Sequence, residues 1–128
     1  MIAYIMVGSN NIKRSAKFYD AALAPLGLVQ VQADKRYIGY APKSKPKSAQ
    51  FFVTKPYNKK TATFGNGTMI SLAAKTKKDV EAFHKAGLKA GGKDDGKPGP
   101  RPADAKNYVA YLRDPDGNKI CAYCEKAK

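Results

Sequence analysis

The residues of this chain that could do chemistry are few, and several lie in its last quarter. An Asp-Pro-Asp-Gly sequence at 114–117 places two carboxylates two residues apart, and Cys121 and Cys124 follow with a CxxC spacing. Proline presets the turn geometry, aspartate accepts hydrogen bonds from nearby backbone, and glycine tolerates positive φ, so the four residues predict a tight turn. The turn explains both carboxylates without a catalytic role.

The two cysteines could form a redox pair or half of a zinc site. A redox CxxC is expected at a helix N-terminus, where the thiolate is stabilised. Here the flanking runs are rich in Tyr, Val, Leu, Ile and Cys, which predicts a β-hairpin over Asn107–Cys124. Side chains three residues apart on a strand point to opposite faces, and the chain has no other cysteine for a zinc site. We therefore interpret Cys121 and Cys124 as small buried residues.

Two further residues have both a chemical and a structural interpretation. His84 is the one histidine and lies on the apolar stripe of a predicted helix with no neighbouring carboxylate evident, which favours a packed or interface residue over a catalyst. Arg101 lies in a loop flanked by glycine and proline, where it could present a cation to an anionic ligand at a cavity mouth. The alternative for Arg101 is a mobile surface loop.

The chain is strongly basic, with 24 Lys and Arg against 10 Asp and Glu and a net charge of +14. The stretch Lys35–Lys60 carries eight basic residues and no acid. Such a charge attracts nucleic acid, phosphates and acidic partners. The lysines are scattered, however, and only four arginines are available for bidentate contacts, so a solvated surface is favoured over a nucleic-acid site.

Length and hydropathy limit the class of protein. With 128 residues, 43% of them hydrophobic, the chain is long enough for one domain with its own core. No apolar stretch approaches the ~20 residues that span a bilayer. The opening run at 2–8 lacks the order of a signal peptide, so we expect a cytoplasmic protein without membrane contact.

Periodicity predicts the elements that position these residues. Two helices are expected, Ile12–Ala24 after capping residues at 9–11, and Lys77–Ala90 after Thr76. A loose loop is expected at Gly96–Lys106. Besides the hairpin, strands are predicted at Ile2–Gly8, Leu28–Gln32, Arg36–Tyr40, Ala49–Thr54 and Gly67–Ala74.

The order of these elements repeats. A strand followed by a helix begins at Ile2 and again near Thr68, and several strands follow each helix. This predicts two similar β-α-β-type modules packed into one domain, an α+β chain. Module 1 covers about residues 1–57, a connector about 58–66, and module 2 about 67–128.

The chain resembles the vicinal oxygen chelate superfamily, which includes the glyoxalase I, bleomycin-resistance and extradiol-dioxygenase-like proteins. The resemblance rests on FYDAALAPLGL at 18–28 followed much later by RDPDGNKI at 113–120, with further support from the strand at 65–74 and the helix after it. It implies two βαβββ modules forming a half-open curved barrel, and often a homodimer. Metal-using members place His or Glu on the inner faces of four strands, and three of the matching places here hold Tyr4, Met69 and Cys121. The fourth falls near Phe51 or Phe52.

Strand alternation supports a metal-free interpretation of that cavity. It puts Tyr4, Met69 and Cys121 on faces opposite the aliphatic residues that suit helix packing. Phenol, thioether and thiol are a poor donor set for a hard divalent ion. We therefore expect no cofactor and a small organic ligand, anionic or aromatic, against walls formed by Tyr4, Phe52, Met69, Ser71, Tyr111, Cys121 and Tyr123. For Tyr111 and Tyr123, as for Tyr37, the alternative is that they serve only as strand formers.

Whether a reaction is catalysed stays open, and binding without catalysis is favoured. A metal-dependent lyase or dioxygenase of the same superfamily is the first alternative. The second alternative is a basic module that binds nucleic acid or an acidic partner through Lys35–Lys60.

Overall fold

The computed structural model describes residues 1–126, which contain two α-helices and eight strands. Helix α1 covers Ile12–Leu23 and continues into a 3-10 turn at Ala24–Leu26, and helix α2 covers Lys77–Lys89. The strands are β1 (Ile5–Gly8), β2 (Leu28–Ala33), β3 (Tyr37–Pro42), β4 (Phe51–Thr54), β5 (Ile70–Ala73), β6 (Lys93–Gly99), β7 (Tyr108–Arg113) and β8 (Lys119–Cys124).

The strands form two four-stranded mixed sheets with the same topology. The order is β1-β4-β3-β2 in the first sheet and β5-β8-β7-β6 in the second. In each, the strand before the helix pairs in parallel with the last strand of its module, and the other pairs are antiparallel. The predicted α+β fold with two βαβββ modules is confirmed, and neither sheet closes on itself.

Strand β6 is the main departure from the predicted elements. The sequence predicts a loop from Gly96 to Lys106, whereas the strand runs to Gly99. This strand lies at the edge of its sheet and its pairing with β7 is interrupted at Gly96. An irregular edge strand tolerates glycine and a Pro98 without an N–H, so its composition is that of a loop.

Both helices begin at side-chain caps that the sequence predicts. The Asn11 side chain accepts a hydrogen bond from the Arg14 N–H, and the Thr76 hydroxyl accepts one from the Asp79 N–H. Each helix buries one face. The apolar spacing of α2 predicts Leu88 on its inner face together with His84, but Leu88 is exposed. The buried helix residues are Ser15, Phe18, Tyr19, Ala22, Leu23, Val80, Phe83, His84 and Gly87.

One hydrophobic core joins the two modules. Its residues come from both helices and from the helix-facing side of both sheets. The helices approach closely at Gly87, where a Cβ atom would lie 2.3 Å from the Leu112 side chain and 3.2 Å from the Phe18 ring. Glycine therefore lets α2 lie this close to α1 and β7 without displacing the Leu112 side chain.

The Asp-Pro-Asp-Gly turn of the second module is hydrogen-bonded to residues of the first module. The Tyr19 hydroxyl donates to Asp114 Oδ2 at 2.5 Å, and Asn118 Nδ2 donates both to Asp114 and to the Gly8 carbonyl. Asp116 accepts from Arg14 Nη2 at 2.8 Å and from the Asn10 N–H at 3.0 Å. The sequence predicts the local turn alone, yet both carboxylates also hold the start of the chain.

Candidate ligand-binding site

The first sheet turns an aromatic patch away from the helices. Tyr4, just before β1, lies edge-on to Phe52 with ring centroids 5.3 Å apart, and Tyr37 lies 6.1 Å from the same Phe52 ring. Met6 lies on β1 two residues after Tyr4 and is also exposed. Tyr4 is 59% exposed, so this patch is available to a ligand or a partner. Tyr4 and Phe52 are thus neighbours, as the predicted cavity wall requires.

The second sheet brings five of the predicted wall residues to one face. Cys121 pairs with Ser71 of β5 on one side and with Tyr111 of β7 on the other. Tyr123 follows on the same face of β8, since strand side chains alternate. Met69 stands just before β5 and is exposed. The alternation predicted for this strand pair is observed, because Ile120 and Ala122 on the opposite face belong to the core.

Cys121 is a buried thiol within an otherwise accessible face. Its exposure is 1%, and burial raises the pKa of the thiol. The neighbouring Ser71 hydroxyl and the Lys119 ammonium lower that pKa and only partly offset the effect of burial. Cys121 is therefore a neutral thiol at neutral pH and a weak nucleophile.

The side chains of Cys121 and Cys124 lie on opposite sides of the sheet. Both cysteines are free and buried, as the sequence predicts. Cys124 belongs to the core that packs on the helices, while Cys121 lies on the opposite face. The CxxC spacing therefore does not form a redox pair in this fold.

Cations surround Tyr111 on the second sheet. Lys119 Nζ lies 5.0 Å from the Tyr111 ring centroid and the Arg101 guanidinium lies 5.9 Å from it. Arg101 is oriented by donating to the Lys97 and Pro100 carbonyls, at 2.7 and 3.1 Å. These contacts place the predicted anion contact, Arg101, beside a predicted wall residue.

A carboxylate partly neutralises this cationic group. Asp95 accepts from Arg113 Nε at 3.1 Å and lies 3.3 Å from Lys119 Nζ. Asp95 therefore pairs with Arg113 and Lys119, and of these two cations Lys119 is the one beside Tyr111. Lys119 was missed by the sequence reasoning, although its position two residues before Cys121 places it on the same strand face.

The residues do not suit a metal ion. At three places where the resemblance implies metal ligands, this chain has Tyr4, Met69 and a neutral Cys121 thiol. Among residues 1–126, no three His, Cys, Asp or Glu side chains are grouped as a metal site would require. Divalent ions prefer carboxylate, imidazole and water ligands.

A cavity of about 410 Å³ lies beside Tyr4, between the start of β1 and the end of β5. It brings residues of both modules together, with Tyr4 and Ile5 from the first and Leu72 and Ala73 from the second. Most of its lining is apolar. Of the seven predicted wall residues, this cavity includes Tyr4, and the others lie on the two sheet faces described above.

His84 has a carboxylate partner that the sequence reasoning missed. His84 Nε2 lies 2.8 Å from Asp94 Oδ1. The expectation of no neighbouring carboxylate is wrong because β6 returns directly after α2 and brings Asp94 back to the helix. The histidine is buried on the helix side, so it fits the packed residue that was predicted.

Comparison with known proteins identifies the relatives of this fold. The model of the Glyoxalase/Bleomycin resistance protein/Dioxygenase superfamily matches residues 1–122. A solved glyoxalase/bleomycin resistance protein from Albidiferax ferrireducens T118 is 42% identical, with a TM-score of 0.86 over 97% of this chain and 98% of that chain. No curated protein matches the chain.

Two more distant structures share the fold. A glyoxalase-related enzyme from Fulvimarina pelagi is 18% identical, with a TM-score of 0.73 over 97% of this chain and 87% of that chain. A glyoxalase/bleomycin resistance protein/dioxygenase family enzyme from Burkholderia phytofirmans PsJN is 16% identical, with a TM-score of 0.69 over 96% of this chain and 97% of that chain. Across the described residues, no helix has the length and apolar character needed to cross a membrane.

Proposed function

Because the chain belongs to the glyoxalase/bleomycin resistance protein/dioxygenase superfamily, we propose that it binds a small aromatic anion without a metal ion. The ligand's ring packs against the aromatic and sulfur-containing side chains of the sheet faces. Its negative group lies near Lys119 and Arg101. The protein holds the ligand and does not convert it.

The single observation that carries this proposal is the cationic group around Tyr111. Two cations lie within 6 Å of the Tyr111 ring centroid, where they can contact the negative group of a ligand. Ligand sites combine apolar walls with a few polar groups that fix orientation, and this face has that composition. A carboxylate or phenolate on an aromatic ring satisfies both parts.

The donor chemistry supports the absence of a metal-dependent reaction. Tyr4 offers a phenol, which is a poorer ligand for a hard divalent ion than a carboxylate or an imidazole. Met69 offers a thioether, which prefers soft metals, and the Cys121 thiol is neutral. No residue arrangement on these faces resembles an activated nucleophile with its base.

A homodimer would complete the site. Tyr4, Met6, Met69 and Tyr123 are large apolar or aromatic side chains that remain exposed on the outer faces of the two sheets. Exposed apolar surface of this kind marks an interaction site. A second copy of the chain would cover it and bring two sheet faces around one ligand, so light scattering should show a dimer at micromolar concentration.

Thermal unfolding with a ligand series tests the binding proposal. The series contains aromatic carboxylates and phenols, each paired with its neutral amide or methyl ether. A ligand present at 100 times its Kd stabilises the folded state by about 2.7 kcal/mol, which raises Tm by several degrees. We expect some anions to raise Tm and their neutral partners to do so less.

Matched variants test whether the stabilisation by anionic ligands arises near Tyr111. Lys119→Gln should reduce the anion's advantage over its neutral partner, while Lys85→Gln on the exposed side of α2 should leave it unchanged. If no member of the series raises Tm, the binding proposal is wrong. A stoichiometric metal that a chelator removes from untagged protein would instead favour a lyase or dioxygenase.

A further inference from the structure

A second charged surface lies away from the sheet faces, at the start of the connector between the modules. A cleft of about 390 Å³ is lined by Arg36, Lys55, Lys59 and Lys60 together with Ser9, Asn10, Pro56 and Thr61. None of these eight residues is acidic. A concave surface lined by one sign of charge concentrates ions of the other sign.

A second cleft continues this surface. It shares Asn10 and Lys55 with the first cleft and adds Lys13 and Lys35. Its one acid is Asp34, whose Oδ1 accepts the backbone N–H groups of Arg36 and Tyr37 at 2.7 and 3.1 Å. We call the six cations of the two clefts the basic track: Lys13, Lys35, Arg36, Lys55, Lys59 and Lys60.

The loop that carries half of the basic track is held in place. Arg36 Nη2 donates to the Pro56 carbonyl at 3.1 Å, and the Lys59 N–H donates to the same carbonyl at 3.0 Å. Farther along, the Asn10 side chain accepts from the Ala62 N–H at 2.7 Å and donates to the Ala62 carbonyl. The lysines are therefore presented by a formed loop, which reduces the entropy lost on binding.

The same loop exposes an aromatic ring. Tyr57 is 97% exposed and stands between Lys55 and Lys59 in the chain. Aromatic rings among lysines are typical of surfaces that bind single strands, because unpaired bases stack on the ring while phosphates contact the cations. In a duplex the base faces are already stacked and are not available to Tyr57.

We propose that the basic track binds single-stranded nucleic acid, with phosphates along the two clefts and one base stacked on Tyr57. The extent of the track favours a chain of phosphates over a single nucleotide, because six cations lie along two adjoining clefts. The binding is independent of base sequence, since lysines act as point charges and five of the six cations are lysines. This function is separate from the small-molecule site.

Fluorescence anisotropy with a labelled oligothymidylate of about twenty nucleotides tests the proposal. If all six cations contact phosphates, log K should fall with log salt at a slope of about −4, from roughly 0.7 per contact. The variant K55Q/K59Q/K60Q should weaken binding and reduce the slope by about 2. The control K78Q/K85Q/K89Q removes the same charge from exposed positions on α2 and should leave the slope unchanged.

A variant of Tyr57 distinguishes the binding of nucleic acid from the binding of other polyanions. Y57A should weaken binding by at least about fivefold at every salt concentration without changing the slope. Circular dichroism and Tm should match wild type for each variant. The proposal is overturned if the α2 control weakens binding as much as the track variant, or if Y57A binds like wild type. It is also overturned if a duplex binds more tightly than the single strand, or if inorganic polyphosphate competes as well, per phosphate, as an unlabelled single strand.

Discussion

At the scale of single residues, partners in space decide chemistry more than spacing in the sequence. His84 and Asp94 lie ten residues apart, on α2 and β6, yet their side chains meet at 2.8 Å. The hydrogen bond from His84 is the main cause that lowers the pKa of Asp94, and the Gly96 N–H adds to it. The pair fastens the edge strand to the helix and does not face the proposed ligand.

The lowered pKa of Asp94 predicts a pH-dependent contribution to stability. The unfolded chain binds more protons than the folded one between the lowered folded pKa and the usual value near 3.8. Stability therefore rises with pH in this range, and the contribution is present above it and lost as pH falls through the folded pKa. Wild type should exceed D94N in stability at about pH 5, and the difference should shrink by about pH 2.5.

Urea denaturation at each pH measures this difference. The matched control is D104N, which removes a carboxylate from an exposed loop position and should show no such pH dependence. A D94N deficit that is constant from neutral to acid pH would contradict the assigned hydrogen bond between His84 and the Asp94 carboxylate.

At the scale of elements, the contact between α1 and α2 depends on one position without a side chain. Gly87 lies in the last turn of α2, two residues before its end, and glycine inside a helix costs up to about 1 kcal/mol relative to alanine. The close approach of Leu112 and Phe18 explains why that cost is tolerated. Packing in the core thus overrides helix propensity here.

Substituting a large residue for Gly87 should separate the effect of helix propensity from the effect of core packing. G87L improves helix propensity but forces atoms into Leu112 and Phe18, so we expect a loss of about 1–3 kcal/mol in the free energy of unfolding. A82L on the exposed side of the same helix should change stability by less than about 0.5 kcal/mol. Equal stability of G87L and A82L would show that the helices are not packed as described.

At the scale of the whole molecule, we expect the two modules to unfold as one unit. They share a single core, and the turn at 114–117 bonds to residues of β1 and α1. The Asp116 side chain is 2% exposed although its Arg14 partner is half exposed. The carboxylate is therefore shielded although its hydrogen bonds from Arg14 and Asn10 lie at the surface, and losing them should cost stability.

Removing the Asp116 carboxylate should weaken both modules together. We expect D116A to lose about 1.5–3 kcal/mol, the range for hydrogen bonds to charged groups. Unfolding followed by near-ultraviolet and far-ultraviolet circular dichroism should give coincident transitions in wild type and variant. D104A provides the charge-matched control, and two separate transitions in wild type would refute the shared unit.

Much of this fold follows from patterns that act over short distances. The turn at 114–117, both helix caps and the alternation that separates Cys121 from Ile120 all depend on neighbours within a few residues. Strand β6 was missed because an irregular edge strand has the composition of a loop. The links from Asp116 to Asn10 and from Asp94 to His84 were missed because tertiary packing creates them.

The candidate site was predicted in part for the same reason. Alternation puts Cys121 on the face opposite the aliphatic residues, and the register places the predicted wall residues Ser71 and Tyr111 beside it. Lys119 beside Tyr111 required the register of the hairpin, which the turn determines. In our proposal a homodimer brings two sheet faces around one ligand. Local sequence patterns do not encode this pairing of subunits.

The bond between Tyr19 and Asp114 also has a consequence for synthesis on the ribosome. Tyr19 is fully buried, and the acceptor of its hydroxyl lies 95 residues later in the chain. While residues 114–118 are still inside the exit tunnel, the first module has neither this acceptor nor the Asn118 donor for Gly8. Module 1 should therefore emerge loosely packed and become protease-resistant only after the hairpin leaves the tunnel, which stalled nascent chains of increasing length would reveal.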